Sequence, residues 1–153
     1  MSIKVEKDIK SVVKSKCVLH NLVLKIPSTK DNIYWRGQLQ NRKLVDVIWY
    51  DGVCSFCTFS GGLWENGVFI KGDWIDGEWH NGIFDGGNWK SGVWLDGLFK
   101  NGKWEDGEWE KGTWENGKWL SGFWTSGLWE KGTWYDGIWH SGIFDGVWVT
   151  GRW

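Results

Sequence analysis

One proline, Pro27, stands among 153 residues, and no long run of apolar residues occurs anywhere. The longest stretches, such as Leu22 to Leu24, fall far below the roughly 18 apolar residues that a membrane helix needs. Met1 to Lys10 alternates charge with isolated aliphatics and does not build a secretory leader. Charge of either sign is not in excess: 18 Lys and Arg face 19 Asp and Glu, a net charge of −1. That balance argues against an overall basic field for nucleic acid and against an acidic, disordered chain. Three cysteines cannot all pair within the chain, which fits a reducing compartment. These shortages predict one soluble, cytoplasmic domain and argue against a membrane location and a nucleic-acid partner.

What is plentiful is tryptophan and glycine, 17 and 23 residues. From Gly62 to Gly142 a glycine falls on every fifth position, and an aromatic follows two places after each, from Trp64 to Phe144. The unit is Gly-x-(Trp/Phe)-x-x. One residue is dropped near the end, where Gly142 is followed by Gly146 and Gly151, and the pairs Gly146 to Trp148 and Gly151 to Trp153 keep the internal spacing. Read backwards, the frame continues through Phe59, Cys54, Trp49, Leu44, Leu39 and Tyr34, leaving Trp35 off phase. Three regions follow: a basic N-terminal segment over 1–32, degenerate repeats over 33–61 and regular repeats over 62–153. Residues 1–16 read as either a short amphipathic helix or an extended strand. Charge divides the chain as well, with a difference of +6 over 1–50 and −7 over 51–153.

The residue before each glycine is often Asn or Asp, as in Asn66, Asp76, Asn81 and Asp96. Asn-Gly and Asp-Gly favour the two-residue type I′ hairpin turn, in which both residues take positive φ. Five residues then divide into a three-residue strand and a two-residue turn. The expected fold is all-β: an elongated, coiled antiparallel meander of three-residue strands joined by type I′ turns, with every aromatic on one face. The alternative is the quadrilateral β-helix of pentapeptide-repeat proteins, which shares the period. Two points weigh against it: Trp on every face would overfill a narrow core, and turn dipeptides this constant exceed what that fold requires.

Twenty in-phase aromatics from Phe59 to Trp153 must be covered, since each buries about 150–250 Å² and exposed apolar patches on soluble monomers are usually a few hundred Å² in all. The last strand, ending at Trp153, is an edge on which another chain can add. The string Gly107-Glu108-Trp109-Glu110-Lys111-Gly112, recurring over 62–142, resembles the Gly-x-Trp-x-x-Gly strings of MORN repeat proteins. The resemblance covers a fragment of the family motif, because the longer family period, its Tyr-x-Gly opening and its Gly-x-Gly elements are missing. It implies short antiparallel hairpins and a scaffolding role, with membrane or lipid binding in some members. The strings are also loosely similar to those of uncharacterised repeat proteins of tailed phages.

Candidate chemistry is sparse. Cys17-x-x-His20 and Cys54-x-x-Cys57 share one spacing and together make a Cys₃His set able to hold zinc. The competing reading is that Cys54 and Cys57 are decayed repeat positions and that no cofactor is bound. His80 and His140 each follow a repeat Trp and read as surface positions. The carboxylates Glu105, Asp106, Glu108 and Glu110 have counterparts in every repeat and form no unique acid–base pair. No phosphate loop, nucleophile elbow or metalloprotease motif is present. The expectation is a non-enzymatic repeat scaffold that binds a protein partner or itself, a homodimer included. Trp104, Glu105, Glu108, Trp109, Glu110 and Trp114 are its candidate binding residues, since Trp is enriched at interface hot spots. Two other readings stand beside it: carbohydrate or lipid-surface binding through the aromatics, and an acidic rod that mimics nucleic acid to inhibit an enzyme.

Overall fold

The computed structural model describes residues 34–153, with side chains from residue 38 onward. The basic segment 1–32, the reading of residues 1–16, and Cys17 and His20 lie outside the described residues. Over the described residues the chain is all-β, from the strand Tyr34–Gln40 to the strand Val147–Trp148, with no helix.

Every strand pair is parallel, so the antiparallel meander is corrected to a β-solenoid. Trp94 pairs with Trp109 and Trp109 with Trp124, fifteen residues apart. Three five-residue units therefore make one coil, which also replaces the four-sided alternative with a three-sided one. Each unit supplies one face. Face 1 is centred on Trp49, Trp64, Trp79, Trp94, Trp109, Trp124 and Trp139. Face 2 is centred on Cys54, Phe69, Phe84, Phe99, Trp114, Trp129 and Phe144, and face 3 on Phe59, Trp74, Trp89, Trp104, Trp119, Trp134 and Trp148.

Side chains alternate across a strand, so in each triplet the middle residue points inward and its two neighbours point outward. The centres from Trp49 to Trp139 are all buried. Trp94 and Trp109 stack with centroids 4.8 Å apart and planes 4° from parallel, a separation equal to the spacing of hydrogen-bonded strands. Within a coil the rings meet edge to face, as Trp109 and Trp114 do at 6.1 Å and 71°. Both geometries suit the ring quadrupole. This corrects the expectation that Trp on every face overfills the core: three rings set edge to face around one axis fill a triangle, and stacking along the axis reuses the backbone spacing.

The corners explain why the hairpin reading fails. A type I′ turn needs positive φ at the residue before glycine too, and Asn66, Asp76, Asn81 and Asp96 are not among the residues with positive φ. Only the glycine turns, with φ near +120°, as at Gly122 (φ +124). At Asp76, Asn81, Asp96, Asp106 and Asp136 the side chain before the glycine accepts a hydrogen bond at Oδ1 from the glycine N–H, at 2.8–2.9 Å, whereas Asn66 donates to Asp51 of the previous coil. At those five corners the dipeptide serves that short bond rather than a hairpin turn. A second corner type uses left-handed residues: Asn41 (φ 55), Phe56 (φ 55), Lys71 (φ 47) and Gly86 (φ 84) stand fifteen apart in one column, as do Asp46 (φ 53) and Gly61 (φ 81) in another. Gly61 and Gly86, which precede a frame glycine, take up this corner role.

Pairing is locally out of step by one residue at Ser60, opposite Asp76, and at Asp85, opposite Asn101, and recovers within the same strands. Near each end of the described chain the fifteen-residue spacing shortens to fourteen. The backbone of Trp35 pairs with Trp49 across an irregularity at Trp35/Arg36, and Trp134 pairs with Trp148 after the dropped residue. The strand Thr58–Trp64 crosses from the degenerate into the regular repeats without a break.

Candidate interaction surfaces

With the rings inside, the outer surface is made of the residues on either side of each aromatic. The residue preceding the aromatic on face 2 is Val53, Val68, Ile83, Leu98, Thr113, Leu128 and Ile143, each paired with the next. This is a nearly continuous aliphatic column along the rod, half-buried except for Ile143, which is exposed. On face 3 the same position is Lys43, Thr58, Asp73, Asn88, Lys103, Lys118 and Thr133, all polar, and then Val147. Face 1 is mixed, with Glu78 and Glu108 between aliphatics. The polar columns carry ladders: Asn88 donates to Asp73 at 2.9 Å, Lys100 pairs with Asp85 at 3.3 Å and Lys111 with Asp96 at 3.2 Å.

The candidate binding residues do not form one surface. Trp104, Trp109 and Trp114 are completely buried and belong to three different faces. Glu105 lies on face 3, tied to Lys103 at 2.8 Å, while Glu108 and Glu110 flank Trp109 on face 1 and are exposed. The coil separates residues that are adjacent in sequence. His80 and His140 share one column of face 1, four coils apart; His80 lies 3.1 Å from Glu65 and 3.4 Å from Glu78, both also on face 1.

Cys54 and Cys57 form a disulfide that joins the centre of face 2 to the next corner, and both are buried. A zinc site needs thiolates, so the pair in this form does not supply ligands, and Cys17 and His20 lie outside the described residues. Among the described residues no group of three or more His, Cys, Asp or Glu side chains converges on one point. One coil before Cys57, Arg42 is buried, and its guanidinium has no hydrogen-bond partner among the described residues; burial lowers its pKa. A hollow on face 2 is lined by Gln38, Leu39, Gln40, Val53 and Ser55. No helix among the described residues is long and apolar enough to cross a membrane.

Sequence reading missed the aliphatic column of face 2. Its signal is present, because every third Gly-x position from Val53 to Ile143 is aliphatic apart from Thr113, but it is visible only once fifteen is known to be the period. Compared with family models, curated proteins and solved structures, the chain matches none.

Proposed function

We propose that this chain is a non-enzymatic scaffold, working in the cytoplasm, that holds a protein partner against the outside of a stiff β-rod. The observation that carries the reading is the division of labour between positions. The rings are consumed by the core, while face 2 keeps an aliphatic column from Val53 to Ile143, interrupted only by Thr113, where face 1 is mixed and face 3 mostly polar. Apolar side chains aligned along a rigid face are what a protein partner buries. Carbohydrate or lipid binding through the aromatics has less support, because the face-centre rings from Trp49 to Trp139 are buried and only scattered aromatics such as Phe56, Phe123, Tyr135 and Trp153 are exposed. The acidic-rod reading is weakened by Lys100, Lys103, Lys111 and Lys118, which interrupt the carboxylates.

The test is site-specific photo-crosslinking in cells, with the probe placed at Leu98 on face 2 or at Asn88 on face 3. A discrete protein adduct from Leu98, absent from Asn88 and abolished by Val68→Lys, is the expected result. Equal labelling from both faces, or none from either, overturns the reading.

A further inference from the structure

Two columns of face 2 point outward, one on each side of the buried rings. The aliphatic column before the ring runs through Val68, Ile83, Leu98, Thr113 and Leu128. The column after the ring reads Ile70, Asp85, Lys100, Glu115, Glu130 and Asp145. Asp85 is matched by Lys100 at 3.3 Å. No ion pair among the described residues includes Glu115, Glu130 or Asp145, and Lys131 at the corner beyond pairs with none of them. Across the corner on the other flank, Asp96 is matched by Lys111 at 3.2 Å, and the next coil carries Ser126. The aliphatic column is thus bordered by uncompensated carboxylates on one side and by a neutral corner on the other. Side chains two apart on a strand share a face and stand about 6.7 Å from each other, so these acids are within reach of whatever covers the aliphatics.

We propose that this strip of face 2 docks a basic amphipathic helix of a protein partner, laid along the rod with its apolar residues on the column from Ile83 to Leu128 and its Lys or Arg residues over Glu115 and Glu130. The proposal rests on the scaffold reading and gives the partner a chemistry. Spacing favours a helix. Successive coils are 4.8 Å apart, as at Trp94 and Trp109, so the four coils of Ile83, Leu98, Thr113 and Leu128 span about 14 Å. Helix positions i, i+3, i+7 and i+10 line one face and span about 15 Å, one residue to each coil. An extended strand repeats on one face every ~6.7 Å and loses step within two coils. Charge selects the sign. A second copy sets Glu115 and Glu130 against the same carboxylates, and an anionic membrane or a nucleic acid meets the same repulsion, whereas Lys and Arg on one flank of a helix find complements there. Because only one border of the column is acidic, the direction in which the helix lies is fixed as well.

The test is fluorescence anisotropy with the full chain and three labelled synthetic peptides of equal length: a helix with Leu at i, i+3, i+7 and i+10 and Lys along one flank, the same residues scrambled, and the helix with Glu in place of Lys. The expected result is saturable binding of the first, with the other two about tenfold or more weaker. Glu115→Lys combined with Glu130→Lys is expected to raise the dissociation constant of the first helix about tenfold or more, and Leu98→Glu to raise it although it adds negative charge. Glu65→Lys combined with Glu78→Lys on face 1, an equal change in net charge, is expected to leave it within about twofold. No binding of the first helix, equal binding of the scrambled peptide, or equal weakening by the face 1 pair overturns the proposal. A protein adduct from Leu98 that survives Glu115→Lys with Glu130→Lys also overturns it and leaves the scaffold reading standing, whereas the absence of any adduct from Leu98 overturns the scaffold reading and this proposal with it. The three peptides against the wild-type chain decide the matter even if the variants fail to fold.

Discussion

Trp89 and Trp104, fifteen residues apart, lie face to face with centroids 4.6 Å apart and planes 5° from parallel, whereas Trp104 meets the next ring along the chain, Trp109, edge-on at 5.9 Å. Neighbours in sequence cross, and neighbours in adjacent coils stack. The core is therefore continuous along the rod, and each interior ring is held from above, from below and from the side.

Trp104→Ala removes a fully buried ring that its stacked neighbours cannot replace, and is expected to cost about 3–5 kcal/mol in denaturant unfolding. Trp153→Ala, at an exposed position, is expected to change stability by less than about 0.5 kcal/mol. Equal losses from the two would show that the rings do not form a graded, coil-by-coil core.

Gly122 has φ +124, and a Cβ there would stand 2.5 Å from the carbonyl oxygen of Gly107 in the previous coil. Strain and overlap act together, so Gly122→Ala is expected to destabilise by more than about 2 kcal/mol. At Gly86 (φ +84) the nearest neighbour of such a Cβ is Lys71 Cγ at 3.6 Å, and Gly86→Asn is expected to cost less than about 1 kcal/mol, because Asn tolerates the left-handed region. Thermal melts of the two variants measure the difference.

Arg42 is buried without a hydrogen-bond partner among the described residues. An uncompensated buried cation opposes folding, so Arg42→Met, which keeps the length and removes the charge, is expected to be neutral or to stabilise by about 1–4 kcal/mol. A loss of stability in urea titration would mean that the guanidinium has an anionic partner.

Reduction of the Cys54–Cys57 disulfide opens a loop with a sequence separation of 3. Closing so short a loop removes little chain entropy, and the expected loss on reduction is about 2 kcal/mol or less. Melting with and without reductant measures it. Stoichiometric zinc in the reduced protein, lost in Cys17→Ser, would restore the metal-site reading.

Much of this fold was legible in the sequence. The five-residue frame, the inward aromatic at the centre of each triplet, the glycine at each bend and the all-β class all follow from local rules, because alternation across a strand and the freedom of glycine need no knowledge of distant contacts. The candidate site was less legible: Trp104, Trp109 and Trp114 are buried on three faces, and members of the aliphatic column from Val53 to Ile143 stand fifteen apart, with two Gly-x positions of other faces between each pair. What the five-residue frame by itself does not contain is the way the chain closes. A hairpin and a solenoid corner place the aromatic at the same point of the repeat. The choice between them was made by φ near +120° at glycine with no positive φ at Asp or Asn before it, and by rings that stack only when three units close a coil. That closure is a tertiary fact. It brings Leu98 over Ile83 and Trp104 over Trp89, and thereby decides which residues form the core and which form a face.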